Sequence, residues 1–167
     1  RIAIASALAL EPRLVVLDEP VSALDVSTQN QIINLLYERR DALKIAYLLI
    51  AHDLALVHHI SDRIAVMYLG RIVEEGPAER VYSTPAHPYS QALLDAVPLL
   101  DPAKQRSRRA ARKLAPAVEM FHDETFGCSY QHRCPKVMSI CRNQTPPTFP
   151  VDGGGVASCY LYPETKS

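Results

Sequence analysis

Two stretches of this chain run apolar residues straight into side chains that can do acid–base work. Leu14-Val15-Val16-Leu17 leads into Asp18-Glu19-Pro20, and residues 46–51 lead into His52-Asp53. Two adjacent carboxylates suit a divalent metal and an attacking water, and a histidine brought beside them can share their ligand. A third group lies near the other end, where Cys128-x₅-Cys134-x₆-Cys141-x₁₇-Cys159 holds every cysteine of the chain. Four thiols so concentrated can form two disulfides, a zinc site or an iron–sulfur cluster.

The elements that must position these groups follow from pattern. A short continuous apolar run bounded by breakers reads as a strand buried on both faces, as in parallel α/β sheets. Asp18 and Glu19 then stand at the carboxyl end of one strand and His52 at that of a second, the edge at which open α/β sheets bind ligands. Between them a helix is expected from about Val26 to Asp41. Asp25 or Ser27 can cap it, and Ile32, Ile33, Leu36 and Leu43 form its apolar face. Two such strand–helix units imply right-handed crossovers and a shared crevice. A helix also covers the Ala/Leu-rich start and ends at Glu11-Pro12, and another begins near Leu54, for which His52 could otherwise serve as a polar cap.

Composition narrows the class. A 48% hydrophobic content is enough for a core, and 18 basic against 18 acidic residues give no global charge to attract nucleic acid or an anionic bilayer. There is neither a secretory signal nor a run of about 18 apolar residues. The chain starts with arginine in mid-helix and reads as part of a longer cytosolic protein.

Three motifs in order carry a family resemblance. Residues 14–20 resemble the Walker B strand of an ATP-binding cassette ATPase, Ser22-Ala23-Leu24-Asp25 resembles its D-loop, and Ala51-His52-Asp53 its switch-histidine loop. Residues 63–76 continue the match as a strand pair with a glycine-bearing turn. The resemblance implies an α/β fold, the C-terminal half of a P-loop cassette domain with a parallel-sheet core, over residues 1–76. It implies ATP and Mg²⁺ as cofactors, with Asp18 holding the metal through water, Glu19 polarising the attacking water and His52 reaching the γ-phosphate. Ser22 and Asp25 would cross to a second ATP-binding subunit, in a homo- or heterodimer. The glycine-rich phosphate loop, glutamine loop and signature are missing from these residues, so the isolated chain is expected not to hydrolyse ATP.

Residues 77–167 are expected to form a small irregular extension. Pro77 opens a short helix, and a second runs from about Ser90 to Val97. His87-Pro88-Tyr89 resembles the start of the C-terminal extension of oligopeptide and dipeptide importers. That resemblance implies permease subunits in the membrane, indirect contact with an extracytoplasmic solute-binding protein, no nucleic acid, and a peripheral place on the cytoplasmic face of the inner membrane. The basic run 104–113 reads as a solvated linker, and residues 114–125 depart from the glycine- and proline-rich approach expected of the family.

For Cys128, Cys134, Cys141 and Cys159, a cytosolic setting disfavours disulfides. Zinc sites favour close Cys-x₂₋₄-Cys pairs, whereas wider gaps can wrap a cubane cluster. Importers of the resembled subfamily include some with a four-cysteine extension associated with a [4Fe–4S] cluster, which favours the cluster with zinc as the alternative. His132 reads as structural. Two other functions fit parts of the chain: a cassette ATPase of DNA repair, against which the extension after His87 and the lack of heptads argue, and a non-enzymatic metal- or cluster-binding module.

Overall fold

A computed structural model describes residues 2–22, 24–97 and 126–162. The basic run 104–113 and the segment 114–125 lie outside the described residues. The chain divides into two compact units, residues 1–60 and 61–167.

In the first unit α1 (Ile2–Leu8), β1 (Leu14–Asp18), α2 (Val26–Leu43), β2 (Ala46–Ile50) and α3 (Leu54–Ile60) follow in order. β1 and β2 pair in parallel, Val16 opposite Leu48 and Asp18 opposite Ile50, so α2 is the crossover that parallel pairing requires. Val15, Leu17, Ile32, Ile33, Leu36 and Ile45 form the core, with Tyr47 and Leu49 packed against it. The strands differ from expectation in one respect. Among the described residues they are covered on one face only: Leu14, Val16, Leu48 and Ile50 are each about half exposed. Strand side chains alternate between faces, so residues that continue the apolar run toward the helices on one side must stand out on the other.

α2 begins where local chemistry places it. Asp25 is extended and accepts the Thr28 amide (3.0 Å) and the Thr28 hydroxyl (2.7 Å), satisfying a donor that the first helical turn leaves unpaired. The helix ends at Lys44, in the left-handed region (φ 54°). Ile32, Ile33 and Leu36 are buried as the spacing requires, but Leu43, assigned to the same face, is 40% exposed in the fraying last turn. The Tyr37 hydroxyl donates to the carbonyl of His59 (2.6 Å), tying α2 to α3.

The second unit contains β3 (Arg63–Tyr68), β4 (Arg71–Pro77), α4 (Ala78–Ser83), α5 (Pro88–Asp95), α6 (Ser139–Asn143), β5 (Phe149–Val151) and β6 (Gly155–Ala157). Its sheet is antiparallel in the order β3-β4-β6-β5. The β3–β4 hairpin turns at Leu69-Gly70, both with positive φ (46° and 75°), as a two-residue turn matched to strand twist requires. β6 adds to the far edge of β4, pairing Ala157 with Glu74 and Val156 with Glu75. The hairpin expected to close the catalytic half is thus also the platform of the tail. α5 starts two residues earlier than expected and stops at Asp95, because Pro88 occupies its first turn and His87, not a later residue, caps it. No helix of the described residues is long and apolar enough to cross a membrane.

Candidate functional site

At the carboxyl ends of β1 and β2 the backbone turns sharply. Glu19 takes a left-handed conformation (φ 44°), unfavourable for a residue with a side chain and sustained only where its surroundings over-determine it. Its amide donates to the Ile50 carbonyl (2.8 Å), extending the parallel ladder by one bond. Its own carbonyl accepts both the amide (3.3 Å) and the hydroxyl (3.1 Å) of Ser22. So held, the Glu19 carboxylate meets His52, Oε1 to Nδ1 at 3.0 Å. A carboxylate can only accept, so Nδ1 carries the proton in this contact. Side-chain exposures of 48% for Glu19 and 75% for His52 limit the pair to about 1 kcal/mol of stability. Its value lies in orientation.

Two residues 33 apart in sequence thus meet as expected. Asp18, paired with Ile50 on the ladder, is exposed beside them. Ser22 reaches back to the Glu19 carbonyl, while the Asp25 carboxylate is committed to Thr28, whose bonds hold its pKa below the usual carboxylate value. The residue that caps α3 is Asp53, not the alternative His52: its Oδ1 accepts the amides of Ala55 (2.9 Å) and Leu56 (3.1 Å). An aspartate directly before Leu54-Ala55-Leu56 is an ordinary cap signal, and taking it frees His52 for Glu19. Gln29, a polar residue off the apolar face of α2, donates its side-chain amide to the carbonyls of Val21 (3.0 Å) and Leu24 (3.2 Å).

The second unit is built around a buried carboxylate that nothing in the sequence marked. Glu74 on β4 is 1% exposed. One oxygen accepts the Arg80 guanidinium and the Ala86 amide (2.8 Å), the other the His87 amide (2.8 Å). Arg80 also donates to the Glu75 carbonyl (3.1 Å). His87, equally buried, accepts the Tyr89 amide at Nδ1 (3.0 Å), capping α5. Burial lowers its pKa to about 4 against the opposing pull of Glu74, so the imidazole stays neutral at neutral pH and can accept. His87-Pro88-Tyr89 is therefore a cap, a first-turn proline and an aromatic anchor. Tyr89 packs with Tyr68 and Tyr130 at centroid distances of 4.5 and 5.4 Å, on the cluster containing Cys128 and Cys141.

All four cysteines are free thiols, and Cys128, Cys141 and Cys159 are more than nine-tenths buried. The Cys128 amide donates to the Cys141 carbonyl (2.8 Å), a closure that passes through Gly127. At Gly127 (φ 87°) a Cβ would stand 2.6 Å from the Cys141 carbonyl oxygen, so only glycine fits. Burial raises the thiol pKa of Cys128 and Cys134, and that of Cys159 to about 11. Among the described residues no three His, Cys, Asp or Glu side chains gather closely enough to hold a single metal ion.

Comparison with known proteins shows what the chain is similar to. Residues 73–141 match the C-terminal region of oligopeptide/dipeptide transporters. Over 97% of its length the chain is 49% identical to a peptide import ATP-binding protein of Brucella abortus (strain 2308), covering 47% of that protein. Nearly the whole chain is thus similar to peptide-transport ATP-binding proteins. It is 42% identical over its whole length to the dipeptide transport ATP-binding protein of Escherichia coli (strain K12), covering 49% of it. The corresponding protein of Haemophilus influenzae is 43% identical over 96% of the chain. The chain spans about half the length of these curated relatives. The matched transporter region takes in Glu74, Arg80, His87 and three of the four cysteines; Cys159 lies beyond it.

Proposed function

We propose that this chain is the C-terminal portion of an ATP-hydrolysing subunit that powers import of peptides or related small solutes across the cytoplasmic membrane. The contact between Glu19 and His52, at the ends of two parallel strands in a chain with peptide-transport ATP-binding relatives, supports it most directly. Exposed carboxylates at a strand end suit Mg²⁺, which takes oxygen ligands and keeps several waters. Bound Mg²⁺ with ATP would supply the electrophilic phosphoryl group. Asp18 would hold the metal, Glu19 polarise the attacking water, and His52 orient Glu19 and the terminal phosphate. Ser22 and Asp25 would face a second ATP-binding subunit.

Residues 1–76 would form the distal catalytic part and residues 77–167 the extension, with the protein peripheral on the cytoplasmic face against permease subunits. Without the glycine-rich phosphate loop the 167 residues alone would not turn over ATP. The test uses cells that need imported dipeptide and lack their own importer ATP-binding subunit. The longer protein containing this chain restores growth and its Glu19→Gln variant does not; equal growth with both would refute the assignment.

The cysteines would bind one [4Fe–4S] cluster, with zinc as the alternative. The concentration of all four free cysteines between residues 128 and 159 supports a metal centre, and gaps wider than Cys-x₂₋₄-Cys favour a cluster over zinc. Metal binding would offset the cost of ionising buried thiols and so help fold the extension. Anaerobically purified protein is expected to contain about four iron and four sulfide per chain, lowered by any single Cys→Ser change. Stoichiometric zinc without sulfide would exclude the cluster, and four titratable thiols without metal would exclude both.

A further inference from the structure

We infer that Gln29, on the first turns of α2, is a positioning residue for the Glu19–His52 pair; this rests on the ATPase assignment above. The left-handed backbone at Glu19 needs support on both sides. The Ile50 carbonyl holds it from the strand side. From the loop side the support is Ser22, whose amide and hydroxyl both end on the Glu19 carbonyl. Ser22 in turn sits between Val21, a core residue 4% exposed, and Leu24, whose amide returns to the Val21 carbonyl (3.1 Å).

The two carbonyls that flank Ser22, those of Val21 and Leu24, both accept from the one side-chain amide of Gln29. That amide is half-buried, and the Gln29 backbone is locked in α2 by its bond to the Asp25 carbonyl (2.9 Å). A rigid helix therefore grips the loop at two points, the loop grips the Glu19 carbonyl at two more, and the Glu19 carboxylate is delivered 3.0 Å from His52. Gln29 touches neither partner of the pair. Its loss lets the turn relax and costs the geometry of the water-activating carboxylate, which acts in the transition state and contributes little to nucleotide binding.

The test uses the longer protein with Gln29→Met, which keeps the length and removes the donor, and Gln29→Glu, which replaces the donor with an ionisable acceptor. Gln29→Met is expected to lower kcat about tenfold with the KM for ATP within about twofold of wild type. Amide exchange at Ser22 and Leu24 should quicken while Ile32, Ile33 and Leu36 keep their protection. Gln29→Glu faces two carbonyl oxygens when ionised but regains a donor when protonated, so its activity relative to wild type should rise as pH falls. The relative activity of Gln29→Met should not change with pH. Equal loss in both variants at every pH would overturn the inference, because it would report on the helix and not on the bond. Glu19→Gln is measured alongside. If it is inactive while Gln29→Met is fully active, only the role of Gln29 falls; if Glu19→Gln is itself fully active, the ATPase assignment falls with it.

Discussion

Glu19→Gln in the longer protein is expected to lower ATP turnover by a factor of about 10² to 10⁴ while leaving nucleotide affinity near wild type. Glutamine keeps the shape of the side chain and an Oε1 acceptor, so the Nδ1–H of His52 retains its partner at the same place. Only the charge that would draw a proton from water is lost. Because the pair is too exposed to contribute more than about 1 kcal/mol to stability, the variant should melt with the wild type, which separates a chemical effect from unfolding. His52→Ala should also reduce turnover, by freeing the carboxylate to rotate. Single-turnover hydrolysis with saturating ATP checks both, and near-normal rates in both variants would show that the two strand ends do not hold the chemistry.

Glu74→Gln is expected to unfold the second unit or bring it close to unfolding. Removing one partner of a buried ion pair costs about 3 to 5 kcal/mol, because the Arg80 guanidinium is left uncompensated away from water. Glutamine also offers one acceptor oxygen where the carboxylate served two, so the amide of Ala86 or His87 loses its partner at a further cost of about 1 to 3 kcal/mol. Against a total of about 5 to 15 kcal/mol for a domain, the sum removes most of the margin. Replacing both Glu74 and Arg80 with apolar residues should recover only part of it, since the two amides would still lack acceptors. Thermal melting followed by aromatic near-ultraviolet dichroism reports on Tyr68, Tyr89 and Tyr130, which pack beside this network. A midpoint lowered by less than about 4 °C would correspond to less than about 1 kcal/mol and would rule out such a role for Glu74.

Taken by itself, the sequence determined the features set by neighbours along the chain. Asp25 caps α2 because an aspartate three residues before Thr28 can reach its amide whatever the rest of the protein does. Glu19 and His52 were legible as partners because each directly follows an apolar strand, and two parallel strands in register put their carboxyl ends together. The concentration of the four cysteines toward one end is likewise a property of the sequence alone.

What remained was decided by pairing between distant segments. Which face of β1 and β2 would be covered depends on what packs against them, and an apolar run looks the same in either case; here Val15 and Leu17 are buried while Leu14 and Val16 are not. Glu74 sits in Val73-Glu74-Glu75-Gly76, where one glutamate resembles the next. Glu75 shares an exposed bond with Arg63 (2.8 Å), while Glu74 is enclosed by α4, α5 and the tail strand β6. Local sequence shows that a carboxylate is present, but its cost and its use depend on how much water the fold takes away and which donors it brings in return. For Glu74 those donors come from residues 80, 86 and 87, and only the tertiary structure brings them together.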